Sequence, residues 1–213
     1  MSETSHPIGC VIMASGLARR FGSNKLLADF GRRPLLCRAL DATDTPQLAC
    51  RIVVTRSAEV ETLCQTLGVA CLRHALPGRN DTVRLGLEAL LTLQPGLTGC
   101  IFLPGDQPLL RRETVEALVC AFVADTRTQK ETERAIFRLA FQAENDPEPL
   151  VGSPVLFGCG YFSALRTLPE GKGGSVLLRR YPERVCNVFT TDRAELLDAD
   201  TPEALRELKQ FLI

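Results

Sequence analysis

The sequence predicts an α/β fold, a Rossmann-like, mostly parallel sheet with helices on both faces. Three observations lead there. Strand-like apolar runs alternate with helix-like segments, and such alternation builds parallel sheets covered on both sides. The first run, Cys10 to Ala14, is apolar throughout, as a strand buried on both faces must be. It then breaks into Ser15-Gly16-Leu17-Ala18-Arg19-Arg20-Phe21-Gly22-Ser23-Asn24-Lys25, a loop of small and basic residues. Open sheets of this class take their ligands beyond the C-terminal strand ends, which is where this loop begins. The length of 213 residues suits one such domain, read here as residues 1–213.

The elements follow in order. After the first strand, small residues let the backbone approach a ligand, and its free N–H groups can point at an anion. Arg20 and Lys25 add positive charge where that backbone would cradle phosphates. Neither Gly-x-Gly-x-x-Gly nor Gly-x-x-x-x-Gly-Lys-Ser/Thr is present, so the dinucleotide fingerprint and the P-loop are excluded. Pro34 suits the first position of a helix running to Leu40. Residues 51–55 form a β-branched strand. Ser57 caps a helix over 58–67 that Gly68 ends, and 69–72 is a short strand. Residues 77–81 read as a loop, with Asn80 or Asp81 capping a helix over 83–93.

Residues 100–103 are a buried strand that stops at Pro104-Gly105-Asp106, so Asp106 sits at the C-terminal tip of the sheet. A carboxylate there, beside a basic loop, suits a hard cation such as Mg²⁺, which takes one or two protein carboxylates plus phosphates and water. A turn aspartate capping the next helix is the plainer alternative. A helix over 114–123 follows, then a polar stretch, 124–134, expected to be loose. Residues 135–141 alternate like a strand. Gly171-Lys172-Gly173-Gly174 reads equally as an anion contact or a surface loop. Thr201 and Pro202 cap and open a final helix over 202–212. Just before it, Asp198 and Asp200 point the same way along an extended stretch. Asp198 is the candidate to complete a metal site opposite Asp106, whereas helix capping accounts for Asp200.

Composition removes several classes. The formal net charge is zero, so nothing argues electrostatically for nucleic acid or a membrane surface. No apolar run approaches a membrane span, and Met1 to Pro7 lacks an apolar signal region, which predicts a cytoplasmic protein. The nine cysteines are scattered with no Cys-x-x-Cys, so they read as small hydrophobes rather than a disulfide framework or metal cluster.

Residues 14–27 resemble the pattern Ala-Ala-Gly-x-Ser-x-Arg-Met/Phe-Gly-x-x-Lys-Leu-Leu of the molybdenum cofactor cytidylyltransferases, in the MobA-like NTP transferase family. Ala14, Gly16, Arg20, Phe21, Gly22, Lys25, Leu26 and Leu27 match it, while Ser15 replaces Ala and Ala18 replaces Ser. Gly105-Asp106-Gln107-Pro108-Leu109 is similar to that family's Gly-Asp-Met-Pro-Leu, whose Asp binds the metal. The related guanylyltransferases open with Leu-Ala-Gly-Gly and carry Pro-Cys-Asp at this point, so the chain resembles the cytidylyl branch. Arg79, Thr82, Val83, Gly86 and Leu87 resemble Arg-x-x-Ser-Val-x-x-Gly-Leu of the erythritol-phosphate cytidylyltransferases, although those enzymes carry Asp-Ala-Ala-Arg where this chain has Asp106. Asp198-Ala199-Asp200-Thr201-Pro202-Glu203 is similar to the family's Asp-Ile-Asp-Thr-Pro-Glu. Two stretches depart from it: Ser153 stands where the family has His, and Gly171 and Ser175 stand in for an acidic residue and an Arg.

The resemblance implies a sheet of the nucleotide-diphospho-sugar transferase type. It implies transfer of CMP from CTP to a phosphate-bearing acceptor, a molybdopterin-type molybdenum cofactor, with Mg²⁺ and release of pyrophosphate. Arg20, Lys25 and Asp106 would be catalytic. Ala14, Ser15, Gly16, Gly78, Arg79 and Thr82 would bind nucleotide, and Asp106 and Asp198 the metal. Partners would be a nucleoside triphosphate, a small phosphorylated acceptor, and a molybdoenzyme or its chaperone. A sugar or polyol phosphate acceptor, and a nucleotide binder without turnover, are the alternatives.

Overall fold

The structure is a computed structural model that describes residues 6–16, 21, 24–128 and 135–212, with the side chains of 126–128 left aside. A seven-stranded sheet runs in the order β3-β2-β1-β4-β6-β5-β7. Its strands are β1 (Ile8–Ala14), β2 (Cys50–Thr55), β3 (Cys71–Arg73), β4 (Gly99–Pro104), β5 (Ile136–Phe141), β6 (Leu150–Gly158) and β7 (Val185–Thr190). β1 lies between β2 and β4 and runs parallel to both, with Ala14 opposite Thr55 and Met13 opposite Pro104. β6 is antiparallel to β4 and β5, and β5 is parallel to β7. The C-terminal ends of β1, β2, β3 and β4 therefore share one rim, the place where the sequence puts its basic loop and Asp106.

Strand side chains alternate between the two faces. Ile8, Cys10, Ile12 and Ala14 face one core together with α1 (Leu36–Ala42), α2 (Ala58–Thr66) and α4 (Arg112–Thr128). Val11 faces the other, with α3 (Arg79–Leu93), α5 (Phe162–Arg166) and α6 (Ser175–Arg180). A smaller cluster of Phe30, Leu35, Ala199, Leu205 and Leu208 fastens α7 (Pro202–Leu208) to the loop after β1.

Several boundaries differ from those the sequence predicts. α1 begins at Leu36 because Pro34 is held in a bridge with Asp29. β3 starts two residues later than expected, at Cys71, opposite Val53. α3 begins at Arg79, since the Asp81 carboxylate accepts from the Gly78 N–H at 3.1 Å and so reaches back from inside the first turn. α4 extends from Arg112 to Thr128, taking in residues expected to be loose, while 129–134 lie outside the described residues. Ser153 sits in a bulge of β6, between the pairs Arg138↔Val155 and Leu139↔Gly152. Asp198 and Asp200 are in irregular backbone rather than a strand, closed by an Asp200 N–H to Asp198 carbonyl bond of 3.1 Å.

A buried carboxylate ties the two ends of the sheet's antiparallel side together. Glu195 is 0% exposed and accepts from the Arg111 backbone N–H at 3.0 Å and from its Nη2 at 2.6 Å, and the Thr190 hydroxyl also donates to it. Burial alone would push this carboxyl up, but Arg111, Thr114 and Thr190 hold it below the usual range.

Candidate active site

The site grows from the end of β1. Gly105 lets the β4 turn lie against it: its N–H donates to the Met13 carbonyl at 3.0 Å, and a Cβ there would come within 3.0 Å of Leu36. The Asp106 carbonyl in turn accepts from Ala199 N–H at 2.9 Å. That bond brings the 198–200 stretch beside Asp106, about ninety positions away in sequence.

Lys25 lies between these segments. It opens a 3-10 turn, Lys25–Leu27, whose cap is the Asn24 side chain accepting from Leu26 N–H at 3.2 Å. Its ammonium lies 2.5 Å from Asp106 Oδ2 and 2.8 Å from Asp200 Oδ1, and the residue is only 8% exposed. Burial lowers the Lys25 pKa, but the two carboxylates outweigh it and raise the ammonium above its ordinary value. Asp198 completes the group. Its carboxyl is pushed up to about 6 by the surrounding protein, by Asp106 and by Asp200, against a hydrogen bond from Gln107 and the charge of Lys25. Gln107 is 2% exposed, and its Oε1 has no partner.

This donor set fits a divalent cation. The Asp106 and Asp200 carboxylates meet at the Lys25 ammonium, Asp198 lies near enough for their charge to raise its carboxyl, and Mg²⁺ or Mn²⁺ prefers oxygen ligands of this kind. Among the described residues no group of three or more acidic, His or Cys side chains could by itself hold a metal ion.

Of the candidate residues, the structure brings Lys25 against Asp106 with Asp198 nearby, and it adds Asp200, which capping alone had explained. Helix α7 is capped instead by Thr201, whose hydroxyl accepts from Ala204 N–H at 3.1 Å. Arg20 lies outside the described residues. Ala14 is buried at the end of β1. Gly16 is exposed, and among the described residues a Cβ added there would meet no atom within 4 Å. Ser15 turns its hydroxyl inward: Oγ donates to the Val54 carbonyl at 3.0 Å and lies 3.0 Å from His74 Nε2. Its single proton goes to Val54, so His74 Nε2 carries the hydrogen and donates to Oγ. Desolvation and Arg56 push His74 below its ordinary value. Nothing in the sequence had given this histidine a role.

On the other side of the rim, Gly78 and Arg79 begin α3. Thr82 faces inward at 3% exposure. The glycine loop packs over this helix start: Gly171 N–H donates to Asn80 Oδ1 at 2.8 Å, and a Cβ on Gly173 would lie 2.9 Å from Arg79 Cδ. The 171–174 stretch, equally a loop or an anion contact by sequence, thus adjoins the start of α3.

Comparison with known proteins agrees with this arrangement. Residues 10–185 match the family described as the MobA-like NTP transferase domain. Over 130 residues the chain is 34% identical to the bifunctional protein GlmU of Anaeromyxobacter sp. (strain K), covering 57% of this chain and 26% of that protein. It is 25% identical over 111 residues to a probable molybdenum cofactor guanylyltransferase of Pyrococcus horikoshii, covering 52% of this chain and 54% of that one. The chain thus spans about a quarter of the first relative and about half of the second. The crystal structure of Rv0371c from Mycobacterium tuberculosis H37Rv superposes with a TM-score of 0.77 at 21% identity, over 97% of this chain and 99% of that one. The same mycobacterial protein has been solved with manganese, matching with a TM-score of 0.67 at 19% identity over 96% and 98% of the two chains. The family match runs from β1 to the start of β7, through most of the sheet, and the chain belongs to the MobA-like NTP transferase family.

Proposed function

We propose that the chain transfers a nucleoside monophosphate, CMP from CTP, to a phosphate-bearing acceptor of the molybdopterin type and releases pyrophosphate. The observation that carries this reading is the Lys25 ammonium held between Asp106 and Asp200. Positive charge and carboxylates at one strand-end rim are what in-line phosphoryl chemistry requires. Pro104-Gly105-Asp106, rather than Pro-Cys-Asp, favours cytidine over guanosine. The guanylyltransferase relative makes GTP the nucleotide to compare.

An oxygen of the acceptor phosphate attacks the α-phosphorus of the triphosphate. The new P–O bond forms as the bond to the β-phosphate bridging oxygen breaks, and pyrophosphate leaves with that electron pair. The protein orients the two reactants and offsets their charge. Lys25 and Arg20 neutralise the triphosphate and the leaving pyrophosphate. The loop of Ala14, Ser15 and Gly16 receives the phosphates, and Gly78, Arg79 and Thr82 line the base side. A divalent cation, bound by Asp106 and Asp198, would supply charge neutralisation at the phosphate oxygens, and the manganese complex of the mycobacterial neighbour supports its presence. Gln107, hydrogen-bonded to Asp198, steadies that carboxylate. Ser153, in its bulge, favours a second reading in which the acceptor is a sugar or polyol phosphate.

The test is pyrophosphate release with Mg²⁺, comparing CTP, GTP, ATP and UTP, with and without molybdopterin-type cofactor. Release with CTP that requires the cofactor is expected, and Asp106→Asn should abolish it. Release with a different nucleotide or acceptor would redirect the assignment, and no release with any combination would sink it.

A further inference from the structure

We propose that Arg56 is a positioning residue that presets the Gly16 N–H, just beyond β1, for a phosphate oxygen. The inference rests on the nucleotide-transfer reading above. Arg56 follows β2 and makes two bonds to one atom: Nε and Nη2 donate to the Ser15 carbonyl at 2.8 Å and 2.5 Å. The hydroxyl of the same residue is held from below by Val54 and His74. Ser15 is thus fixed at both its side chain and its carbonyl.

The consequence follows from peptide geometry. In a planar trans peptide the carbonyl and the following N–H point in opposite directions. Holding the Ser15 carbonyl toward Arg56 therefore aims the Gly16 N–H away from Arg56. Gly16 is exposed, and among the described residues no atom lies within 4 Å of where its Cβ would sit. A donor whose direction is fixed in advance can meet an anion without the entropy cost of orienting that peptide on binding. Arg56 does this without touching the ligand. His74 supports it through Ser15: its neutral form donates from Nε2, and its Nδ1 is buried without a partner.

The experiment measures equilibrium binding of CTP, and separately of GTP, with Mg²⁺ and no acceptor. It compares wild type with Arg56→Met, which keeps the length but loses the donors, and with Arg56→Lys, which keeps the charge and one donor group. Melting temperatures are recorded alongside. The expected result is binding about tenfold weaker for Arg56→Met, an intermediate loss for Arg56→Lys, and melting well above the assay temperature for both. The measurements are repeated at about 0.1 M and about 1 M salt, where the Debye length falls from ~10 to ~3 Å. A loss that persists at high salt supports the clamp. A loss that vanishes there means Arg56 acts only as a charge, and unchanged binding means it does not set the loop; either overturns the proposal. If Arg56→Met does not fold, Arg56→Lys decides by the same criteria. Wild type that binds neither nucleotide overturns the nucleotide-transfer reading itself, and this inference with it.

Discussion

Lys25 shows how one side chain can serve both fold and site. A loop lysine open to solvent would be replaceable without structural loss, but this one is 8% exposed and bridges Asp106 and Asp200. Removing its charge leaves the carboxylates of Asp106, Asp198 and Asp200 facing one another at neutral pH. Lys25→Met, which keeps the stem, is therefore expected to melt below wild type. It should also gain more than wild type from added Mg²⁺, since a bound cation takes over the lost charge. Thermal melts of both proteins over a Mg²⁺ series check this, and equal gains would remove the carboxylate cluster as the cation's position.

At the scale of elements, the distance between α3 and the sheet decides where Gly78 and Arg79 lie. Gly86 sits at that contact: a Cβ there would approach Val11 Cγ1 to 2.6 Å and Val54 Cγ2 to 3.0 Å. Both valines are 0% exposed and have no room to retreat. Ala is the better helix former by about 1 kcal/mol, but overpacking a well-filled contact costs about 1–3 kcal/mol. Gly86→Ala is thus expected to lose about 1 kcal/mol net, read as a lower urea midpoint at unchanged slope. It should also shift Gly78 and Arg79, which begin the same helix. A variant as stable as wild type would show that α3 is free to move outward.

Across the whole molecule, the parallel half of the sheet carries the candidate chemistry and the antiparallel half is fastened to it by buried polar contacts. Arg111 precedes α4, while its partner Glu195 follows β7, so their ion pair joins the two halves. Glu195 is fully buried and Arg111 about half exposed. Arg111→Ala would leave a buried carboxylate without its charged partner, at a cost of about 3 kcal/mol. Arg33→Ala breaks a pair whose side chains are 52% and 47% exposed, and should cost less than about 1 kcal/mol. Denaturant unfolding of the two variants side by side measures the contrast, and similar losses would mean that Glu195 is not held by Arg111.

Local sequence was enough for much of this. The unbroken apolar run before Ser15 and the Pro104-Gly105-Asp106 stop after a buried strand are short-range signals, set by side-chain period and backbone preference. They place β1, β4 and the Asp106 turn without reference to any long-range contact. The Ser57 cap was equally legible, because its side chain accepts from Val60 N–H only three residues away. β7 was not legible: Val185–Thr190 lies at the sheet edge with no buried residue, so it lacks the apolar run that marks a buried strand. The Lys25–Asp200 pair joins residues 175 positions apart, and the Arg56–Ser15 clamp joins residues 41 apart. No local pattern encodes such partners, because they meet only when sheet order and helix packing bring distant segments to one rim. The sequence by itself determined which elements form and which residues carry charge to the strand ends. Tertiary structure alone decided which of those charges face each other, because strand order and close packing, not spacing along the chain, set the distances between them.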